Sequence, residues 1–196
     1  AQTEQTPSQN HYTEVIISSG KLLLTLINDI LDLTKITQGK LEIEEKPFSL
    51  DQVLSDCLAS FMPMVFQKSV SLLNVIQPDM PLSFFGDEYR LRQIILNLVG
   101  NAMKFTEEGE IKVYADWKYI PNTPRGILGI TVVDTGIGIE KSKLSTIFLQ
   151  FTQADASTTR RFGGSGLGLT ISKAIVEQMG GDISAHSNQG KGSTFS

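Results

Sequence analysis

From Tyr12 onward the apolar positions step by three and four residues: Tyr12, Ile16, Leu23, Leu26, Ile30 and Leu33, with Ser19 in the one polar slot. Leu22 and Ile27 widen the stripe beyond a two-stranded seam, which predicts a long helix packed in a bundle; a helix lying on its own domain's sheet is the other arrangement the pattern allows. Ala1 to Asn10 is a polar lead-in, and Gln38-Gly39-Lys40 puts a glycine where a C-cap is expected. Beyond it the period changes. Leu41 to Glu44 alternates like an edge strand, and Ser49 is placed to cap a helix carrying Leu50, Val53, Leu54, Cys57, Leu58 and Phe61, which Pro63 should kink or end. Ser71 to Gln77 reads as a strand and Pro78 to Pro81 as a turn. Asp87 to Met103 reads as a helix with Leu91, Ile94, Ile95, Leu98 and Val99 on one face. Glu110 to Tyr119 and Gly126 to Val133 pair as a hairpin. A short helix is expected over Lys141 to Phe148, a loop over Thr152 to Arg161, a helix over Gly166 to Met179 and closing strands at Asp182 to Ser187 and Thr194 to Ser196. Strands and helices mix without βαβ regularity, so the predicted fold is α+β: a two-layer sandwich of a mixed β-sheet with helices on one face.

The chain has 196 residues, room for one well-buried domain and an appendage. Its 17 basic and 21 acidic residues give a net charge of −4, which disfavours a nucleic-acid partner. Cys57 is the sole cysteine, so no intrachain disulfide forms and a reducing compartment is expected. The longest apolar runs fall well short of a membrane span, so the stretch reads as cytoplasmic with no membrane contact of its own, while a longer parent could be anchored elsewhere.

Four stretches carry candidate chemistry. Asp134 ends a β-branched strand, Ile127 to Val133, and a carboxylate there needs a hydrogen-bond donor. Gly136 and Gly138 follow, where backbone without Cβ atoms lets a flat object approach. Asn97, Asn101 and Lys104 lie along one side of their helix, and an asparagine carbonyl suits magnesium, which takes one or two oxygens from protein and the rest from water and phosphate. Arg160 to Leu169 is a glycine-rich loop opening onto a helix, able to turn N–H groups toward phosphate. In Gly190 to Phe195, the hydroxyl of Thr194 is placed to join Asp134 at a base edge.

Asn97 to Thr106, Asp134 to Ile139, Phe148 to Phe151, Gly163 to Leu169 and Gly190 to Phe195, in that order, resemble the ATP-binding domain of sensor histidine kinases, most of all the hybrid type. Tyr12 to Leu41 resembles the second helix of that family's dimerisation and phosphotransfer hairpin. The resemblance implies residues 1–39 as a partial dimerisation helix and 40–196 as the catalytic domain of histidine-kinase and gyrase-type ATPase fold. It implies ATP and Mg2+ as cofactors. Asp134 would accept from the adenine amino group with Thr194 assisting through water. Guanine would mismatch that carboxylate by roughly 2 to 4 kcal/mol. Phe105 would lie against the ring and Asn101 would hold the metal. Asn97 and Lys104 would serve catalysis, Lys104 meeting the phosphates. Gly136, Gly138, Ile139, Gly164, Ser165, Gly166, Leu167, Gly168 and Leu169 would line the nucleotide, and Thr152 to Ser165 would form a lid.

The family's phosphate-accepting histidine sits on the first hairpin helix, followed by an acidic residue. His11 is followed by Tyr12 and reads as a surface residue; His186, in a closing strand, reads as packed and neutral. The chain is therefore expected to be a fragment cut at both ends that binds Mg-ATP without phosphorylating itself. Its parent would be a homodimer through the first helix, transferring phosphoryl to a histidine and onward to a response-regulator receiver domain. Two other readings stand: a hydrolase of the gyrase and chaperone type, in which a glutamate general base takes the place of Asn97, and a catalytically idle, nucleotide-responsive dimerisation module.

Overall fold

The computed structural model describes residues 6–123, 125–149 and 166–196. The chain divides into two compact units, Ala1–Leu41 and Glu42–Ser196. The first is a helix, α1 (Pro7–Thr37), opened by a capping box in which Thr6 and Gln9 exchange side-chain and backbone hydrogen bonds. Tyr12, Ile16, Leu23 and Ile30 are each more than half exposed along it. Among the described residues no helix is long and apolar enough to cross a membrane.

The second unit runs β1 (Lys46–Phe48), α2 (Leu50–Ala59), α3 (Met62–Gln67), β2 (Ser69–Ile76), β3 (Phe84–Gly86), α4 (Glu88–Phe105), β4 (Glu108–Tyr119), β5 (Gly126–Asp134), α5 (Lys141–Leu144), α6 (Gly168–Gln178), β6 (Ala185–Asn188) and β7 (Gly192–Phe195). Five strands form one mixed sheet in the order β2-β4-β5-β7-β6, parallel only between β2 and β4. α4 crosses one face of the sheet between α2 and α6. Leu54 of α2, Ile95, Leu98 and Val99 of α4, Ile111 and Val113 of β4, Val132 of β5 and Ile175 of α6 are shut off from solvent between the layers. The other face stays open, with Leu73 and Val75 substantially exposed. This is the expected α+β sandwich with helices on one face.

Local expectations fared unevenly. Ser49 caps α2 by accepting from the Gln52 amide, and Pro63 stands in the first turn of a new helix, where a missing N–H leaves nothing unsatisfied. Leu41 to Glu44 is not a strand. Pairing falls instead on β1 and β3, because Phe48 opposite Phe84 buries two rings 6.0 Å apart. The helix expected to reach Phe148 stops at Leu144, where the chain turns to bury Ile147 and set Phe148 edge-on to Phe195. His186, expected packed, is exposed on β6.

α4 is anchored at its start by Asp87. One carboxylate oxygen accepts from the Arg90 amide at 2.9 Å and the other from the Glu44 amide at 3.0 Å, with the residue 6% exposed. Asp87→Ala removes a cap and the side-chain acceptor of the Glu44 amide, so urea denaturation should give a loss of about 2 kcal/mol. A loss confined to a few tenths would mean that water satisfies both amides.

Candidate functional site

The far end of α4 meets the turn after β5. The Ile137 amide donates to the Phe105 carbonyl at 3.2 Å. A Cβ on Gly136 would come within 2.4 Å of that same carbonyl oxygen, and one on Gly138, at φ +67°, within 2.2 Å of the Asn188 carbonyl. The two glycines thus admit neighbouring protein backbone rather than leaving a bare surface for a ligand. The turn is drawn to the β6–β7 end as well: the Gly190 amide donates to the Ile137 carbonyl at 2.7 Å, and the Ile139 amide to Ser187 Oγ at 2.7 Å.

These contacts hold Asp134 at the sheet's helix-covered face. It is 6% exposed, and its Oδ1 accepts from the amides of Gly136 at 2.9 Å and Ser193 at 3.2 Å. Both amides converge on one oxygen, and the Ser193 side chain adds a further hydrogen bond to the carboxylate. Burial holds its pKa above the ordinary carboxylate value, against the opposing pull of the Gly136 and Ser193 hydrogen bonds.

Thr194 is not beside it. β7 pairs with β5 as Asp134↔Ser193 and Val133↔Thr194, so Thr194 projects from the opposite face and Ser193 stands on the Asp134 side. The signal was present in the sequence: Phe195 must face the core, and its strand-mate on that face is two residues back.

On α4, Asn97 and Asn101 share one face, with Asn101 Nδ2 donating to Asn97 Oδ1 at 3.4 Å. That turns the Asn101 carbonyl oxygen the other way, a hard donor suited to magnesium. Asn97 is held in a bridge between helices. Its Nδ2 donates to Ser172 Oγ on α6 at 2.8 Å, with Ser172 2% exposed, and a Cβ on Gly168 would lie 2.2 Å from its Oδ1. Asn97 therefore fastens the start of α6 to α4, and Ser172 is a site residue that sequence spacing did not reveal. Lys104 Nζ lies over the Phe105 ring, 4.8 Å from its centroid, and burial lowers its pKa. Leu167 is buried, which leaves its backbone rather than its side chain to face a ligand. Gly166, Gly168 and Leu169 follow the same turn into α6, whereas Gly164, Ser165 and the expected lid lie outside the described residues. No cluster of three or more His, Cys, Asp or Glu occurs among the described residues.

Residues 86–196 match the family model described as histidine kinase-, DNA gyrase B- and HSP90-like ATPase. The signal transduction histidine-protein kinase BarA of Escherichia coli K12 is 45% identical over 193 residues, 98% of this chain and 21% of BarA. The autoinducer 2 sensor kinase/phosphatase LuxQ of Vibrio harveyi is 40% identical over 97% of this chain and 22% of its own length. Among solved structures, full-length ShkA in complex with AMPPNP superposes with a TM-score of 0.80 at 31% identity, covering 98% of this chain and 39% of ShkA. The catalytic domain of the histidine kinase ThkA gives 0.64 at 25% identity over 78% of this chain and 92% of that one. The chain spans about a fifth of the length of the curated relatives it matches.

The raised pKa of Asp134 has a definite sign. In the folded state its carboxyl keeps its proton to a higher pH than in the unfolded state, so its contribution to stability falls as pH rises through the folded pKa. Asp134→Asn retains an oxygen for the two amides and carries no charge. Its stability advantage over wild type, measured by denaturation without nucleotide, should grow as pH rises from the ordinary carboxylate range toward neutral. A pH-independent difference would contradict the shift.

Proposed function

Because the chain belongs to the histidine kinase-, DNA gyrase B- and HSP90-like ATPase family, we propose that Glu42–Ser196 is the Mg-ATP-binding catalytic domain of a sensor histidine kinase of the hybrid type. The observation that carries this reading is the gathering of three motifs around one helix. Asp134 is tied to the end of α4 through Ile137 and Phe105, Asn101 and Lys104 line that helix, and α6 is fastened to it through Asn97.

Asp134 Oδ1 is engaged by two backbone amides, so Oδ2 takes the adenine amino group, and Ser193 replaces Thr194 as the hydroxyl at that edge. Phe105 meets the ring. Lys104 neutralises phosphate charge, and the α6 N-terminus behind Gly166 to Leu169 adds its dipole. Asn101 offers the side-chain oxygen that would hold a magnesium ion, which would supply charge neutralisation at the phosphates. Asn97 acts by positioning. A neutral amide already bonded to Ser172 takes no proton from water, which disfavours the hydrolase reading. The acceptor is a histidine on another helix, and a receiver aspartate follows it. The exposed apolar face of α1 supports a homodimer in the parent, with 1–39 as part of its dimerisation helix.

Calorimetric titration with Mg-ATP tests the site. Wild type should bind, and Asp134→Asn, which turns an NH2 toward the adenine amino group, should weaken binding by about 2 to 3 kcal/mol while easing discrimination against GTP. Asn101→Ala should abolish the magnesium dependence of the affinity. Equal ATP affinity in all three proteins would refute the assignment.

The transfer itself calls for a second assay. Radiolabel from γ-labelled ATP should stay off this chain alone and should appear on a histidine-bearing hairpin supplied in trans; labelling of the isolated chain would overturn the assigned acceptor.

A further inference from the structure

One side chain outside every motif grips the end of α4. Lys68, between α3 and β2, donates from Nζ to the carbonyls of Met103 at 2.7 Å and Thr106 at 3.0 Å, and its side chain is 23% exposed. The carbonyls of a helix's last turn have no intrahelical partners, and an ammonium there also meets the negative end of the helix dipole. Glu107 stands 3.9 Å away with its side chain 60% exposed, so the backbone carbonyls are the closer partners.

Met103 and Thr106 bracket Lys104 and Phe105. The intervening Phe105 carbonyl is taken by Ile137 of the Asp134 turn. Three carbonyls within four residues are thus held by two groups from distant parts of the chain, which fixes the direction in which the backbone launches the Lys104 side chain. We infer that Lys68 is a positioning residue that acts through Lys104, setting that ammonium at the phosphates of the bound nucleotide. The inference rests on the Mg-ATP reading of the site. A cap that served stability alone would leave nucleotide affinity untouched.

Lys68→Met keeps the stem and removes the donor. With binding measured calorimetrically on the whole chain, well below the melting midpoint of each variant, it should weaken Mg-ATP roughly tenfold, and Lys68→Arg, which can still donate to both carbonyls, should recover most of that loss. In a Lys104→Ala background the effect of Lys68→Met should largely vanish, because the two losses share one route. An unchanged affinity in Lys68→Met, or a full tenfold loss persisting without Lys104, would overturn the inference. Lys68→Gln, with a neutral donor on a similar stem, carries the same comparison if the methionine variant does not fold. Failure of wild type to bind Mg-ATP would instead overturn the nucleotide reading, and this inference with it.

Discussion

The carbonyl of Phe105 is where this domain is tied together. It receives the Ile137 amide at 3.2 Å and lies so close to Gly136 that no Cβ fits between them. This one contact sets the Asp134 turn against the helix bearing Asn101 and Lys104, two segments some thirty residues apart in sequence. Without it, a buried carboxylate and an amide-bearing helix would be neighbours in composition only. The contact also explains the glycines after Asp134, whose missing side chains make room for backbone.

A buried carboxylate is costly, and the structure offsets part of that cost by aiming two amides at one of its oxygens. What remains of the burial cost raises the pKa. A site tuned in this way is more stable without its charge than with it, a tension seen where function rather than stability selects a residue. The same division appears on α4. Its apolar side packs the core, while its polar side gives Asn97 to the fastening of α6 and leaves Asn101 and Lys104 oriented for chemistry.

Periodicity made the sandwich legible, because the faces of α4, β4 and β5 each repeat at the spacing their elements need. The site was legible where its residues share an element, as Asn97, Asn101 and Lys104 do. It was misread where strand facing mattered: Thr194 was assigned a place that alternation gives to Ser193. Ser172 and Lys68 were invisible for a different reason. Each meets its partner across 35 or more positions of sequence, and no local pattern marks a serine or lysine for such a contact. The edge strand at Leu41 to Glu44 failed because alternation says which residues could pair, not whether a partner exists; β3 offered one only to Lys46–Phe48.

If one ligand touches all three motifs, their amides must respond together. Hydrogen exchange on the intact chain, followed as Mg-ATP is added, should slow in step at Asn101 to Thr106, Gly136 to Ile139 and Gly166 to Leu169. Slowing at one segment while the others stay unchanged, or at none, would contradict a single nucleotide site built around α4.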